Sequence, residues 1–247
     1  MEEYLASRNQ VSNHAVFFGC SFTFGDGLMY SSTFPYLFEK LNPDYKSYNY
    51  GASGFSPQQI ALLFDKQVNI INSETVPEKK GFALYTYIND HLNRVYGGSR
   101  FLRWGYLVPD MYIENDSLII KKWSKTRLLC SKVFKDVNLL SNFDINFCYP
   151  HKKSFYERFA GIINYTAKKY WEPFPDNHFY VSIYPGQDKD LNWTQYLDNK
   201  IVILKVDTPA DYNDKRKYEV SQLDHHPSKV SNVYYVEELT RLIKGYE

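Results

Sequence analysis

Cysteine is scarce in this chain. Cys20, Cys130 and Cys148 are the only three, and no two of them form a C-x-x-C pair. That argues against the common zinc and dithiol redox motifs, and at most one disulfide can form. Cys20 stands in a strand-end turn, so the expected pair is Cys130 with Cys148. Long apolar runs are missing too: nothing approaches the roughly 20 residues that cross a bilayer, so no membrane insertion is expected. Met1 to Gln10 is polar and lacks the regions of a signal peptide. A surplus of either charge is absent. Lys and Arg number 29 against 28 Asp and Glu, a net charge of +1. No overall field therefore draws nucleic acid or an anionic membrane. The chain has no P-loop, no Gly-x-Gly-x-x-Gly after a strand and no Gly-x-Ser-x-Gly elbow. His14, His151 and His178 show no metal-ligand spacing, and neither a metal nor another cofactor is expected.

What is present fits one large α/β domain, or a core with an insertion: 247 residues, 44% hydrophobic and 23% charged. Aromatic residues reach 18%, with 23 Tyr. A ring with a polar tip suits a carbohydrate-stacking cleft, and a merely tyrosine-rich composition would look the same.

Strands are expected at His14–Gly19, Lys46–Tyr50, Phe82–Ile88, Phe179–Tyr184 and Ile201–Val206, as apolar runs bounded by turn residues. Helices are expected at Phe34–Leu41 and after Ser56-Pro57-Gln58-Gln59, where Ser56 caps and Gln59 closes a capping box. Ser154-x-x-Glu157 reads as a second capping box opening a helix through Tyr170. Ser228 can cap a last helix with Val233, Val236, Leu239 and Ile243 as its buried stripe. A further helix is expected between the fourth and fifth strands, and a polar loop from Asp207 to Leu223. The alternation of strands and helices predicts a five-stranded parallel sheet covered on both faces, in one domain spanning 1–247. Residues 91 to about 150 break the alternation and read as an insertion. It holds a hairpin over Met111–Ile120 turning at Asn115-Asp116, and a helical stretch over Trp123–Leu140. Such an insertion is a lid, a specificity wall or packing over the sheet edge.

The chain is organised around Val16-Phe17-Phe18-Gly19-Cys20-Ser21-Phe22-Thr23-Phe24-Gly25, a buried strand ending in a sharp bend that carries Ser21. Open α/β sheets bind ligands at that edge. Phe18 to Gly25 resembles the first block of the SGNH (GDSL-type) hydrolases. Tyr48-Asn49-Tyr50-Gly51-Ala52-Ser53-Gly54-Phe55 resembles the second, Tyr87-Ile88-Asn89-Asp90 the third, and Asp224-His225-His226-Pro227-Ser228 the last. The blocks come in family order across most of the chain. The resemblance implies a flavodoxin-like three-layer α/β/α sandwich and a serine hydrolase site.

A serine hydroxyl needs an adjacent base, and the base needs an orienting partner. The resemblance implies Ser21 as nucleophile, His226 as base and Asp224 as its orienter, with His225 as the competing base. It implies an oxyanion hole from the Ser21 N–H, the Gly54 N–H and the Asn89 side chain, with Gly51 the alternative glycine. Three positions depart from the pattern. Cys20 replaces the family's Asp and Tyr87 its Gly, and Asp224 stands two rather than three residues before the histidine. His91, Arg94 and Trp104 are candidate substrate contacts, Arg94 for a carboxylate or phosphate. The implied activity is a serine esterase that removes a short acyl group, acetyl above all, from a glycan or other small ester. An O-acetyltransferase with the same triad, or a silent glycan-binding or scaffold module, is the alternative. The family's habit points to an exported domain whose leader has been removed; otherwise the protein is cytoplasmic.

Overall fold

The structure is a computed structural model, and it describes residues 11–64, 71–96, 110–122, 125, 129, 152–221 and 223–246. Strands β1 (Asn13–Phe18), β2 (Tyr45–Asn49) and β3 (Lys80–Tyr87) are followed by the hairpin β4 (Asp110–Glu114) and β5 (Ser117–Lys121), then by β6 (His178–Ile183) and β7 (Ile201–Lys205). Helices α1 (Ser21–Phe24), α2 (Phe34–Leu41), α3 (Pro57–Leu62), α4 (Asn89–Tyr96), α5 (Lys152–Trp171), α6 (Lys215–Tyr218) and α7 (Lys229–Lys244) connect and cover them. Five strands form one parallel sheet in the order β2-β1-β3-β6-β7, as expected.

The central strands are buried on both faces, which is why they read as continuous apolar runs. Successive side chains go to opposite layers. Phe17 packs edge-on against Phe34 and Phe38 of α2 and Phe82 of β3. Phe18 packs against Phe64 and Tyr50 on the other side. One layer is thus α2 with α7, where Tyr235, Val236, Leu239 and Ile243 are buried. The other is α3, α4 and α5, with Ile60, Leu92, Val95, Phe159 and Ile162.

Local chemistry explains most boundaries. The Ser56 N–H donates to Gln59 Oε1 at 2.9 Å at the start of α3, whose first residue is Pro57. Ser228 accepts from the Ser231 N–H at 3.3 Å and caps α7. The hairpin turns at Asn115 and Asp116, with φ of 48° and 58°, as a two-residue connection of primed type requires.

Four expectations need correction. Helix α5 begins at Lys152, so Ser154 lies inside it and is not its cap. Val233 is among the exposed residues of α7, and Tyr235 takes the core place instead. The segment between β6 and β7 is a 3₁₀ turn, Asn192–Tyr196, around the buried Trp193. The polar loop after β7 contains the short helix α6. Of the insertion, the hairpin docks on α5: Arg158 Nε donates to Met111 O at 2.8 Å, and Lys168 pairs with Asp116 at 2.7 Å. Trp104, Cys130, Cys148 and almost all of the expected Trp123–Leu140 helix lie outside the described residues.

Phe17 is fully buried between α2 and β3 in the α2–α7 layer. Phe17→Ala should cost about 3–5 kcal/mol. Urea titration checks this: the midpoint should fall with the slope unchanged.

Candidate active site

The exits of β1 and β3 define the site, because these neighbouring strands carry their chains to different partners, β2 and β6. A crevice opens at such a switch point, beyond the carboxyl ends of the strands. Ser21 leaves β1 into it as the first residue of α1 and is 6% exposed. The turn requires Gly19: a Cβ there would lie 2.0 Å from Thr23 Oγ1. Gly25, with φ of 94°, ends α1, and its N–H donates to Ser21 O at 2.8 Å.

The second block packs on this turn. A Cβ on Gly51 would meet the Phe24 nitrogen at 2.5 Å, and the Ala52 N–H donates to Gly19 O at 3.3 Å. The Gly51 N–H is engaged by Asn49 Oδ1 at 3.0 Å. The Gly54 N–H has no partner among the described residues, and Gly54 has φ of 73°. In the third block, the Asn89 N–H donates to Gln187 Oε1 at 3.1 Å, and Asn89 Oδ1 accepts from the Lys189 N–H at 3.3 Å. Neither Gly54 nor Asn89 lines the cleft described below.

The last block is a tight hairpin. The Val220 N–H donates to His226 O at 2.9 Å, and Glu219 bridges to Pro227. His226 Nδ1 donates to Asp224 Oδ1 at 2.5 Å, so a two-residue spacing suffices to orient the ring. That hydrogen bond, helped by the His226 backbone N–H, holds the Asp224 carboxyl below its ordinary range. His225 also lines the cleft described below, with its Nδ1 engaged by Glu219 Oε2 at 2.7 Å. The hairpin meets the first block through Gly27, where a Cβ would lie 3.3 Å from Asp224 Oδ2. His226 also stands 5.8 Å from the Phe22 ring.

Ser21, Asp224 and His226 open on one cleft of about 620 Å³. Its other walls include Asp90, Arg94, Gln187, Tyr212, Tyr218, Glu219 and Leu223. Ser21 Oγ makes its hydrogen bond to Cys20 Sγ at 3.8 Å, and His226 Nε2 faces Asp26 Oδ2 at 3.8 Å. Asp26 was not anticipated; its flanking glycines were the available signal. Gln187, Tyr212 and Tyr218 sit in stretches without any motif. Among the described residues no cluster of His, Cys, Asp or Glu could hold a metal ion.

Of the expected substrate contacts, Arg94 lines the cleft and Trp104 lies outside the described residues. His91 is corrected: it is fully buried beneath the cleft, with Nδ1 2.5 Å from the Tyr85 hydroxyl. Burial, and then the nearby Arg94 charge, push the His91 pKa well below its ordinary value.

No family model matches the chain, and no curated protein does. Solved structures do. A member of the lipolytic G-D-S-L family from Veillonella parvula is similar over 94% of this chain and 98% of its own, with a TM-score of 0.51 at 11% identity. A family two carbohydrate esterase from Clostridium thermocellum, solved with cellohexaose, is similar over 96% of this chain but 65% of its own, with a TM-score of 0.55 at 11% identity. An acetyl xylan esterase from Butyrivibrio proteoclasticus is similar over 95% of this chain and 64% of its own, with a TM-score of 0.55 at 11% identity. The chain therefore has the fold of the SGNH, or GDSL-type, hydrolases, and it spans just under two thirds of the two carbohydrate esterases.

His91 makes a pH prediction. A histidine whose folded pKa is depressed contributes stability present above its unfolded pKa, near 6.5, and lost as pH falls. His14, lowered chiefly by burial, acts in the same direction. Unfolding free energy should therefore decline below about pH 6.5, by at most about 1.4 kcal/mol per pH unit for each group. His91→Gln should make the decline shallower, as urea midpoints at pH 7 and pH 5 will show.

Proposed function

We propose that this protein is a serine esterase of the SGNH type, acting through an acyl-serine intermediate. The observation that carries the reading is the convergence of Ser21 with an Asp224-oriented His226 on one cleft at the β1/β3 crevice. Ser21 Oγ attacks the ester carbonyl carbon, and its proton passes to His226 Nε2. In this reading the oxyanion takes the Ser21 N–H as its first donor and is assigned the Gly54 N–H and the Asn89 amide, which do not line the cleft in the resting structure, as two more, each donor worth about 10²–10³ in rate. His226 then gives the proton to the departing alcohol oxygen as the carbon–oxygen bond breaks. In the second half, water loses a proton to His226 and attacks the acyl carbon. Ser21 leaves with that proton as its hydroxyl.

In the resting geometry neither Ser21 Oγ nor His226 Nε2 has reached the other. The esterase reading requires the two to meet when substrate binds, as catalytic contacts commonly tighten only then. Cys20 does not obstruct this, since a thiol is a weak hydrogen-bond partner that a better one displaces.

Water access favours hydrolysis over acyl transfer: among the described residues nothing covers Leu223 on the cleft rim, which is 96% exposed. The proposed substrate is an acetyl ester of a glycan. Two of the structures that share the fold are carbohydrate esterases, one of them an acetyl xylan esterase. The half-buried Tyr212 ring on the wall, backed by the buried Tyr218 ring 5.2 Å away, offers a surface for a sugar.

A fluorophosphonate probe should label the wild-type protein and leave Ser21→Ala unlabelled; labelling that survives in Ser21→Ala overturns the assignment. On short p-nitrophenyl esters, His226→Ala should lower kcat about 10³-fold or more, and His225→Ala far less. The reverse order would make His225 the base. A panel of O-acetylated glycans, read by acetate release, tests the substrate class.

A further inference from the structure

The turn Ala52–Phe55 decides where one proposed oxyanion donor points. The Phe55 N–H donates to Ala52 O at 3.1 Å, and Gly54, third of the four, has φ of 73°. Ser53 is not in the left-handed region, so the turn is of type II, with the Gly54 N–H on its middle peptide. Types I and II differ by a flip of that peptide through about 180°, which reverses the N–H. Glycine tolerates both forms, so the direction of this donor depends on what holds the turn.

Two side chains hold it, one on each flank. At the entry, Ser53 Oγ donates to Asp26 Oδ1 at 2.5 Å. Asp26 is itself fixed between Gly25 and Gly27, with φ of 94° and 77°, and its N–H donates to Ser21 O at 3.1 Å. At the exit, Arg94 of α4 donates from Nη1 to Phe55 O at 2.6 Å, and this side chain is 4% exposed. A guanidinium donor makes a stronger bond than a neutral one, and its planar fork fixes direction as well as distance.

We propose that Arg94 and Asp26 are positioning residues that clamp the Ala52–Phe55 turn from both sides and so fix the direction of the Gly54 N–H, the donor that the esterase reading assigns to the oxyanion. The inference rests on the esterase reading, and it gives Arg94 a role different from that of a substrate-anion contact. The two roles have opposite kinetic signatures. Loss of a ground-state contact raises KM, whereas misdirection of an oxyanion donor lowers kcat on every ester.

The test uses Arg94→Met, Arg94→Lys and Ser53→Ala; the last breaks one clamp while leaving the Asp26 charge beside His226. Amide hydrogen exchange across residues 51–57 should quicken several-fold in Arg94→Met and in Ser53→Ala. On p-nitrophenyl acetate and on an acetylated oligosaccharide alike, kcat should fall by about 10-fold to 100-fold, with KM within about two-fold. Arg94→Lys should recover part of both effects. Unchanged exchange in both variants overturns the clamp, as does a raised KM with kcat intact. Ser53 is exposed, so Ser53→Ala decides the matter should Arg94→Met fail to fold. If the wild-type protein neither turns over esters nor labels at Ser21, the esterase reading falls, and the exchange measurement still decides whether the clamp exists.

Discussion

The parallel pairing of β1 with β3, from Asn13–Lys80 to Phe18–Tyr85, places the first and third blocks of the candidate site side by side. Both strands are sealed by helices on both faces, so neither chain can continue straight without stranding backbone polar groups. β1 must turn at once, and Gly19 permits it by letting α1 fold back until Thr23 touches the strand end. β3 continues into α4, which carries Asp90 and Arg94 to the same edge. The second block and the last block then have little choice of place. Gly51 is pressed on α1, and the Glu219–Pro227 hairpin is pressed on Gly27. Glycines mark the contacts because the backbones approach too closely for a side chain.

The charge around His226 follows from that packing. One ring nitrogen is tied to Asp224 and the other faces Asp26. The cleft also presents Asp90 and Glu219, with Arg94 as a cationic wall residue. Such a surface disfavours an acidic ligand, which fits the proposed acetylated neutral sugar better than a substrate carried by its own carboxylate or phosphate. Arg94 does not offset this, since its Nη1 is directed at Phe55 O.

The sheet, its five strands and their order of appearance were legible because parallel strands buried on both faces leave unbroken apolar runs. Ser21, Asp224 and His226 were legible because their blocks are short and local: each is a turn whose geometry depends on its own residues. Asp26 and Gln187 were not. Their roles come from contacts with Ser53, His226 and Asn89, which are far away in sequence. The capping box at Ser154 misled because a favourable local signal there is overridden by a helix that begins two residues earlier. Tyrosine misled in another way. Tyr85, Tyr87, Tyr170, Tyr180, Tyr184 and Tyr235 are buried in the core, and among the described residues only Tyr212 and Tyr218 reach the cleft. The aromatic richness is mostly packing, with hydroxyls satisfied inside: Tyr184 and Ser231 Oγ lie 2.8 Å apart, and Tyr235 donates to Ser182 Oγ at 2.8 Å. It carries little weight for a sugar-stacking site.

Beneath the cleft, Tyr85, His91 and Arg94 form a polar layer inside the α3–α5 side of the core. Burying such groups is unfavourable: a desolvated guanidinium costs several kcal/mol before its bonds are counted, and an imidazole held neutral costs stability at acid pH. Hydrophobic residues of similar volume can replace buried charged groups at no loss of stability, and the surrounding Leu92, Val95 and Phe159 are apolar. The polar layer does what an apolar one cannot. Through Arg94 it reaches the Phe55 carbonyl from a rigid helix and ties the second-block turn to the helix that follows the third block. An oxyanion hole assembled from three separate segments stabilises a transition state only if those segments keep their relative positions to within about 0.5 Å. In the proposed oxyanion hole, the charged hydrogen bond from Arg94 to Phe55 O would link two of them. Stability given up under the cleft is then the counterpart of order gained at its edge.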